Sequence, residues 1–287
     1  MSSIAYITDY KMLNNHRLNQ NKTMNFWRLS TRVNFTNFSI GGLLFFLSKN
    51  KEHLSSKKEK GIIGFGRVKD IYVLSPKVMW KKFGKENGYN SYKEFVEAIK
   101  RFSKDHKVPK KISSLYLENI SFYQTPIYLS ECGIEISNNV ESYVYIKPDE
   151  AVIELLEYGK KNVDIWSGEK DQTKIIEEEE IGAALALAHE KTLDLKNYKR
   201  IPNDVNKYLK ENDRVHLIHT SMTNMYKVID NKVNVILYHT KSDDIRTIIG
   251  QAALYKKYFK KYYPKDVKLE FTTIDNVFSN EDYIDVI

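Results

Sequence analysis

The chain has 287 residues, 42% hydrophobic and 13% aromatic, which excludes wholesale disorder and leaves room for two domains or one large one. Its single cysteine, Cys132, excludes an internal disulfide framework and any zinc site built on paired cysteines, and fits an intracellular, cytoplasmic setting. The net charge of +8 is regional: residues 1–130 carry 23 Lys and Arg against 9 Asp and Glu, a balance of +14, while the remainder stands at −6, so the front half sets up a field that attracts a polyanion.

Residues 1–23 are polar, asparagine-rich and without period, and are expected to form a flexible arm. From Met24 onward, short apolar or alternating runs predict strands at 25–29, 43–48, 61–68, 112–117 and 126–129, each bounded by turn-forming residues. The apolar run at 40–47 is too short to cross a bilayer and has no cleavage signature after it, so neither a membrane segment nor a secretion signal is expected. Two helices interrupt the strands. The first begins at Pro76 and stops at Gly84, with Val78, Met79, Trp80 and Phe83 at helical spacing. The second is capped at Ser91, has Glu94 three residues on, and carries Phe95, Ile99 and Phe102 on one face.

A further helix is expected over 148–161, and the polar stretch 167–174 reads as a linker. Beyond it the pattern predicts a helix over 175–195, strands at 214–219, 225–229 and 233–239, a helix over 242–262 and a strand at 268–273. The expected fold class is therefore α/β (α+β). It is organised as an arm (1–23), a first domain (24–145), a connecting helix and linker (146–174) and a second domain (175–287).

The succession GGLLFFLS (41–48), GIIGFGRV (61–68), MWKKFGKENGYNS (79–91) and ISSLYLENISF (112–122), with PIYLSECGI after it, resembles the PUA-like (EVE or ASCH type) domains of modification-dependent restriction endonucleases. The resemblance covers roughly residues 24–136. It implies a β-barrel with flanking helices and a pocket for a modified base swung out of double-stranded DNA, held by stacking and by hydrogen bonds to its edge. On that reading Trp27, Tyr72 and Trp80 are the candidate stacking residues and Ser30 the edge contact. Lys49, Lys57, Lys58, Arg67, Lys81 and Lys82 would meet phosphates. Against this, Trp80 and Phe83 lie three apart on a helix, a spacing typical of core residues, and the lysines of 49–60 equally fit a solvated loop.

In the rear half, VNVILYHTKSDDIRTIIGQAALY (233–255) resembles the RecB-type branch of the PD-(D/E)XK nucleases through its strand, lysine and helical Gln-x-x-x-Tyr order. The resemblance implies a mixed sheet flanked by helices and a divalent cation, Mg2+ or Mn2+, held by acids. Lys241, Gln251 and Tyr255 match. His239 stands where the motif has glutamate, and Asn224 where it has aspartate. Glu180 or His189 on the preceding helix would complete a site. Asp230 is an alternative acid within a hairpin turn, Asp-Asn-Lys, and the acids 177–180 equally suit a helix N-terminus. An amide and an imidazole in place of two carboxylates weaken magnesium binding, though His216, His219 or His239 would suit a softer metal. Three readings stay open: an endonuclease acting near a modified base, as a homodimer by analogy with enzymes that cut both strands; a catalytically inactive DNA-binding relative; and an RNA-modification reader.

Overall fold

The computed structural model describes residues 3–31, 35, 38–48, 54–55, 58–135, 137, 140–164, 169–192, 200–240 and 243–274. The chain divides into two compact units, Met1–Glu177 and Glu178–Ile287.

The first unit is built on six strands in the order β2-β5-β4-β3-β1-β6. These are β1 (Ile4–Thr8), β2 (Met24–Arg28), β3 (Leu43–Ser48), β4 (Ile62–Leu74), β5 (Ile112–Ile127) and β6 (Tyr143–Tyr145). Strands β1 and β3 run parallel, and the other neighbours are antiparallel. The long β4–β5 ladder shifts register three times, and such bulges bend a sheet. One of them is at Gly64, whose φ of +154° and 2.3 Å approach of a would-be Cβ to Ser121 O leave no place for a side chain.

The bending brings the two ends of the sheet together without closing it. Tyr6 on β1 meets Phe26 on β2 edge-on at 5.1 Å, although three strands separate them in the sheet order. Among the described residues, β2 and β6 remain unpaired edges, so the expected closed barrel is replaced by a curled open sheet whose seam is filled by side chains.

The expected flexible arm is also corrected. Residues 4–8 form β1, with Ile4 and Ala5 fully buried, and α1 (Tyr10–Leu18) follows, capped by Asp9. This helix buries only Met12, Leu13 and His16, a stripe too narrow to stand out among the surrounding asparagines. Between β4 and β5 lie α2 (Pro76–Phe83) and α3 (Tyr92–Phe102). Ser75 and Ser91 cap them through Val78 N and Glu94 N, and Gly84 ends α2 at φ +51°. Helix α4 (Ala151–Lys160) completes this unit, and α5 (Glu169–His189) begins in it. The predicted linker is therefore helical from residue 169 on, and the acids 177–180 lie in mid-helix and not at its start.

The second unit holds the sheet β10-β9-β8-β7. A meander of β7 (His216–Leu217), β8 (Met225–Ile229) and β9 (Lys232–Leu237) leads into α7 (Ile245–Tyr262), which returns the chain to β10 (Lys268–Thr273), parallel to β9. The two-residue turn Asp230-Asn231, with φ of +46° and +57°, is the left-handed pair that suits a tight hairpin. Val205 of α6 (Asn203–Glu211) packs with Val215, Leu217, Met225 and Ile236 to form a core.

Candidate nucleic-acid interface

Helices α2 and α3 turn their apolar residues inward: Met79 and Phe83 from α2, and Phe95, Ala98 and Ile99 from α3, are buried. What remains outward is dominated by lysine. Lys77, Lys81, Lys82 and Lys85 lie on α2 and the turn after it, Lys93 on α3, and Lys104, Lys107, Lys110 and Lys111 on the segment that follows; all are exposed. None of the nine makes an ion pair among the described residues. Residues 75–111 contain 11 Lys and Arg against 4 Asp and Glu, and three of those acids are already engaged. Glu97 pairs with Lys100 at 3.1 Å. Glu86 accepts from Thr23 and from the Tyr116 hydroxyl. Asp105 accepts from Ser103 Oγ at 2.6 Å and from Lys107 N at 3.1 Å, and these bonds hold its carboxyl below the usual range.

The bonds of Asp105 also shape the segment after α3. His106 N donates to Ser103 O at 3.1 Å, and the His106 ring lies 3.3 Å from Lys100 O at the end of the helix. Lys104 and Lys107 thus stand on a turn with defined bonds. Rings flank the lysines. Tyr72 meets Phe83 edge-on at 5.2 Å, Tyr116 stacks on Phe83 at 5.2 Å, and Lys82 Nζ sits 4.3 Å above the Tyr72 ring. The Tyr72 hydroxyl donates to Asp70 at 2.6 Å; partial burial first, and this bond second, push its pKa up to about 12.

The structure redistributes the residues singled out from sequence. Lys81, Lys82 and Lys58 are exposed, whereas Lys49 and Lys57 lie outside the described residues. Arg67 is only 4% exposed within the β4 ladder, so it is not open to a phosphate. Trp27 is 8% exposed. It packs on Phe95 at 5.4 Å, Tyr89 at 6.3 Å and Phe102 at 6.2 Å, and donates to Asn87 O at 3.3 Å. It is a core residue, because every position of β2 is covered, and the stacking role expected of it is withdrawn. Trp80 is half-buried against Phe95 and Tyr92. Ser30 accepts through its backbone O from Ser113 Oγ. The sequence reading missed Arg28, whose guanidinium lies 4.7 Å from the Phe35 ring centre and 5.9 Å from that of Tyr6 at the sheet seam; only its place on a buried strand could have marked it.

In the second unit, Asn224, His189 and Tyr255 do come together. Asn224 Oδ1 accepts from Tyr238 N at 2.9 Å, its Nδ2 donates to Tyr255 Oη at 3.2 Å, and that hydroxyl lies 2.7 Å from His189 Nδ1. All three side chains are buried. Glu180 is buried and holds Lys265 Nζ at 2.6 Å, Asp230 forms the hairpin tip, and Gln251, His216 and His239 are half-buried. Lys241 lies outside the described residues. The Asn224 amide is already bonded at both ends, and among the described residues no three His, Cys, Asp or Glu side chains gather.

Fold and surface together define a mixed α/β protein with an open, curled six-stranded sheet and a lysine-dominated helical face. No family model and no curated protein matches the chain. Among solved structures it is similar to the ASCH protein of Zymomonas mobilis, at 12% identity and a TM-score of 0.38 over 54% of this chain and 94% of that one. Two point variants of the same protein match at 11% identity with TM-scores of 0.39 and 0.40, each over 55% of this chain. No helix among the described residues is long and apolar enough to cross a membrane.

Proposed function

We propose that the chain is a nucleic-acid-binding protein that seats a phosphate backbone on the face formed by α2, α3 and residues 103–111. The observation that carries this reading is the set of nine exposed lysines without ion-pair partners among the described residues, on a segment where three of the four acids are engaged. A lysine already paired would exchange one partner for another; an unpaired one gains a phosphate and releases a counterion. The interior position of Trp27 counts against a pocket for a swung-out modified base built on that ring. The second unit, with Asn224 and Glu180 already bonded, is read as a scaffold that needs neither Mg2+ nor Mn2+, in preference to an endonuclease.

The test is binding of labelled mixed-sequence DNA and RNA in 50 mM salt, followed by fluorescence anisotropy. Combined substitution of Lys81, Lys82, Lys104 and Lys107 by alanine is expected to weaken binding at least thirtyfold, taking about 0.5–1 kcal/mol per contact. Equal affinity of the variant and the parent protein would place the contact elsewhere.

A further inference from the structure

Resting on the nucleic-acid reading above, we infer that the lysine face takes single-stranded rather than duplex nucleic acid, with Tyr92 and Phe102 stacking on unpaired bases. Seven large apolar side chains stand exposed among the described residues, and four of them, Val78, Tyr92, Phe102 and Val108, fall within residues 75–111. A lone exposed apolar residue is ordinary; a concentration of them among unpaired cations marks a surface that something covers.

The two rings are placed for stacking. Tyr92 is the first residue of α3 and Phe102 the last, so by the helical rise they stand about 15 Å apart along the axis, a distance that about four stacked nucleotides span. They are 40% and 45% exposed, each backed by an indole: Trp80 behind Tyr92 at 6.2 Å and Trp27 behind Phe102 at 6.2 Å. Packing against those indoles limits how far the rings can turn away, which lowers the entropy lost on stacking. The Arg101 guanidinium, held by Asp9 at 3.1 Å, lies over the Phe102 ring at 4.8 Å from its centre, so a flat cation already stacks on that ring. A duplex keeps its base faces inside the stack, so these rings would gain nothing from it without the cost of unstacking. A single strand offers its base faces freely, and lysines on either side meet its phosphates.

An anionic lipid surface is the other polyanion such a face would suit, and the geometry disfavours it. Insertion needs a continuous apolar stripe, yet between the two rings of α3 Phe95, Ala98 and Ile99 are committed to the core, and Glu94 and Glu97 are exposed.

The experiment compares a labelled 12-nucleotide single strand with the same sequence as a duplex, at one salt concentration, for the full chain and for Tyr92→Ala, Phe102→Ala and Phe102→Leu. The parent protein is expected to hold the single strand about tenfold more tightly. Each ring variant should lose about five- to tenfold on the single strand and change duplex affinity less than twofold. Phe102→Leu keeps an apolar group against Trp27, so its loss of affinity with an unchanged melting temperature separates stacking from folding. Equal or tighter duplex binding, or ring variants that alter both forms alike, would overturn the inference while the lysine face stands. Absence of oligonucleotide binding together with capture by phosphatidylserine vesicles would overturn both.

Discussion

The Tyr255 hydroxyl lies 2.7 Å from Nδ1 of His189, deep in the second unit. Its neighbours fix the orientation of the amide beside it. Tyr238 N can only donate, so Asn224 must turn its carbonyl to it and its amide hydrogens to Tyr255. With that amide donating to it, the tyrosine oxygen keeps both its proton and a lone pair, so its bond to His189 Nδ1 runs in the direction that the imidazole tautomer sets. Asn224→Asp removes the donor and buries a carboxylate, and should destabilise the second unit by about 2–4 kcal/mol. Urea melts followed by circular dichroism measure this; a stability gain, or magnesium-dependent cutting of plasmid by the variant, would refute the scaffold reading.

Trp27→Ala addresses the first unit. Removing a buried indole from a packed cluster typically costs about 3–5 kcal/mol, so the unit should melt far earlier than in the parent protein. A ring kept for ligand contact would behave in the opposite way. Unchanged stability with lost binding would restore Trp27 to a site.

His16 provides a pH test. It is fully buried on α1, and burial lowers its pKa from the usual 6.5 to about 4, against a smaller opposing contribution from the Glu86 backbone. Nδ1 of the neutral ring lies 2.9 Å from Asn21 Nδ2, which donates to it. The unfolded chain takes up the proton first as the pH falls, so the stability associated with neutral His16 is complete above about 6.5 and is lost toward pH 4. The full effect is at most about 3 kcal/mol. His16→Gln should flatten the dependence between those pH values in denaturant titrations, and an equally steep curve in the variant would assign the effect to other groups.

The features that local chemistry dictates were legible in the sequence. Ser75 and Ser91 announce α2 and α3, Asp230-Asn231 announces a hairpin, and 43–48, 225–229 and 268–273 read directly as strands. Features set by long-range pairing were not. Strand β1 owes its burial to partners some 40 and 140 residues away, so 4–8 looked like part of an arm. Strand β2 is buried on both faces, which erases the alternation that would have shown which way Trp27 points. Lys81 and Lys82 were found by charge, but the lysines at 104–111 resemble any solvated loop until the Asp105 and His106 bonds are seen. Phe102 continues the spacing of Phe95 and Ile99, yet it ends the helix beyond the edge of the core and stays 45% exposed.

Salt dependence of binding tests the lysine face most directly. Log affinity for a single strand should fall linearly with log salt concentration, at a slope of about −0.7 per phosphate contact. Replacing Lys81, Lys82, Lys104 and Lys107 together by alanine should make that slope shallower by about 2.8. A slope near zero in the parent protein, or one that the four substitutions leave unchanged, would contradict the claim that these side chains hold the backbone.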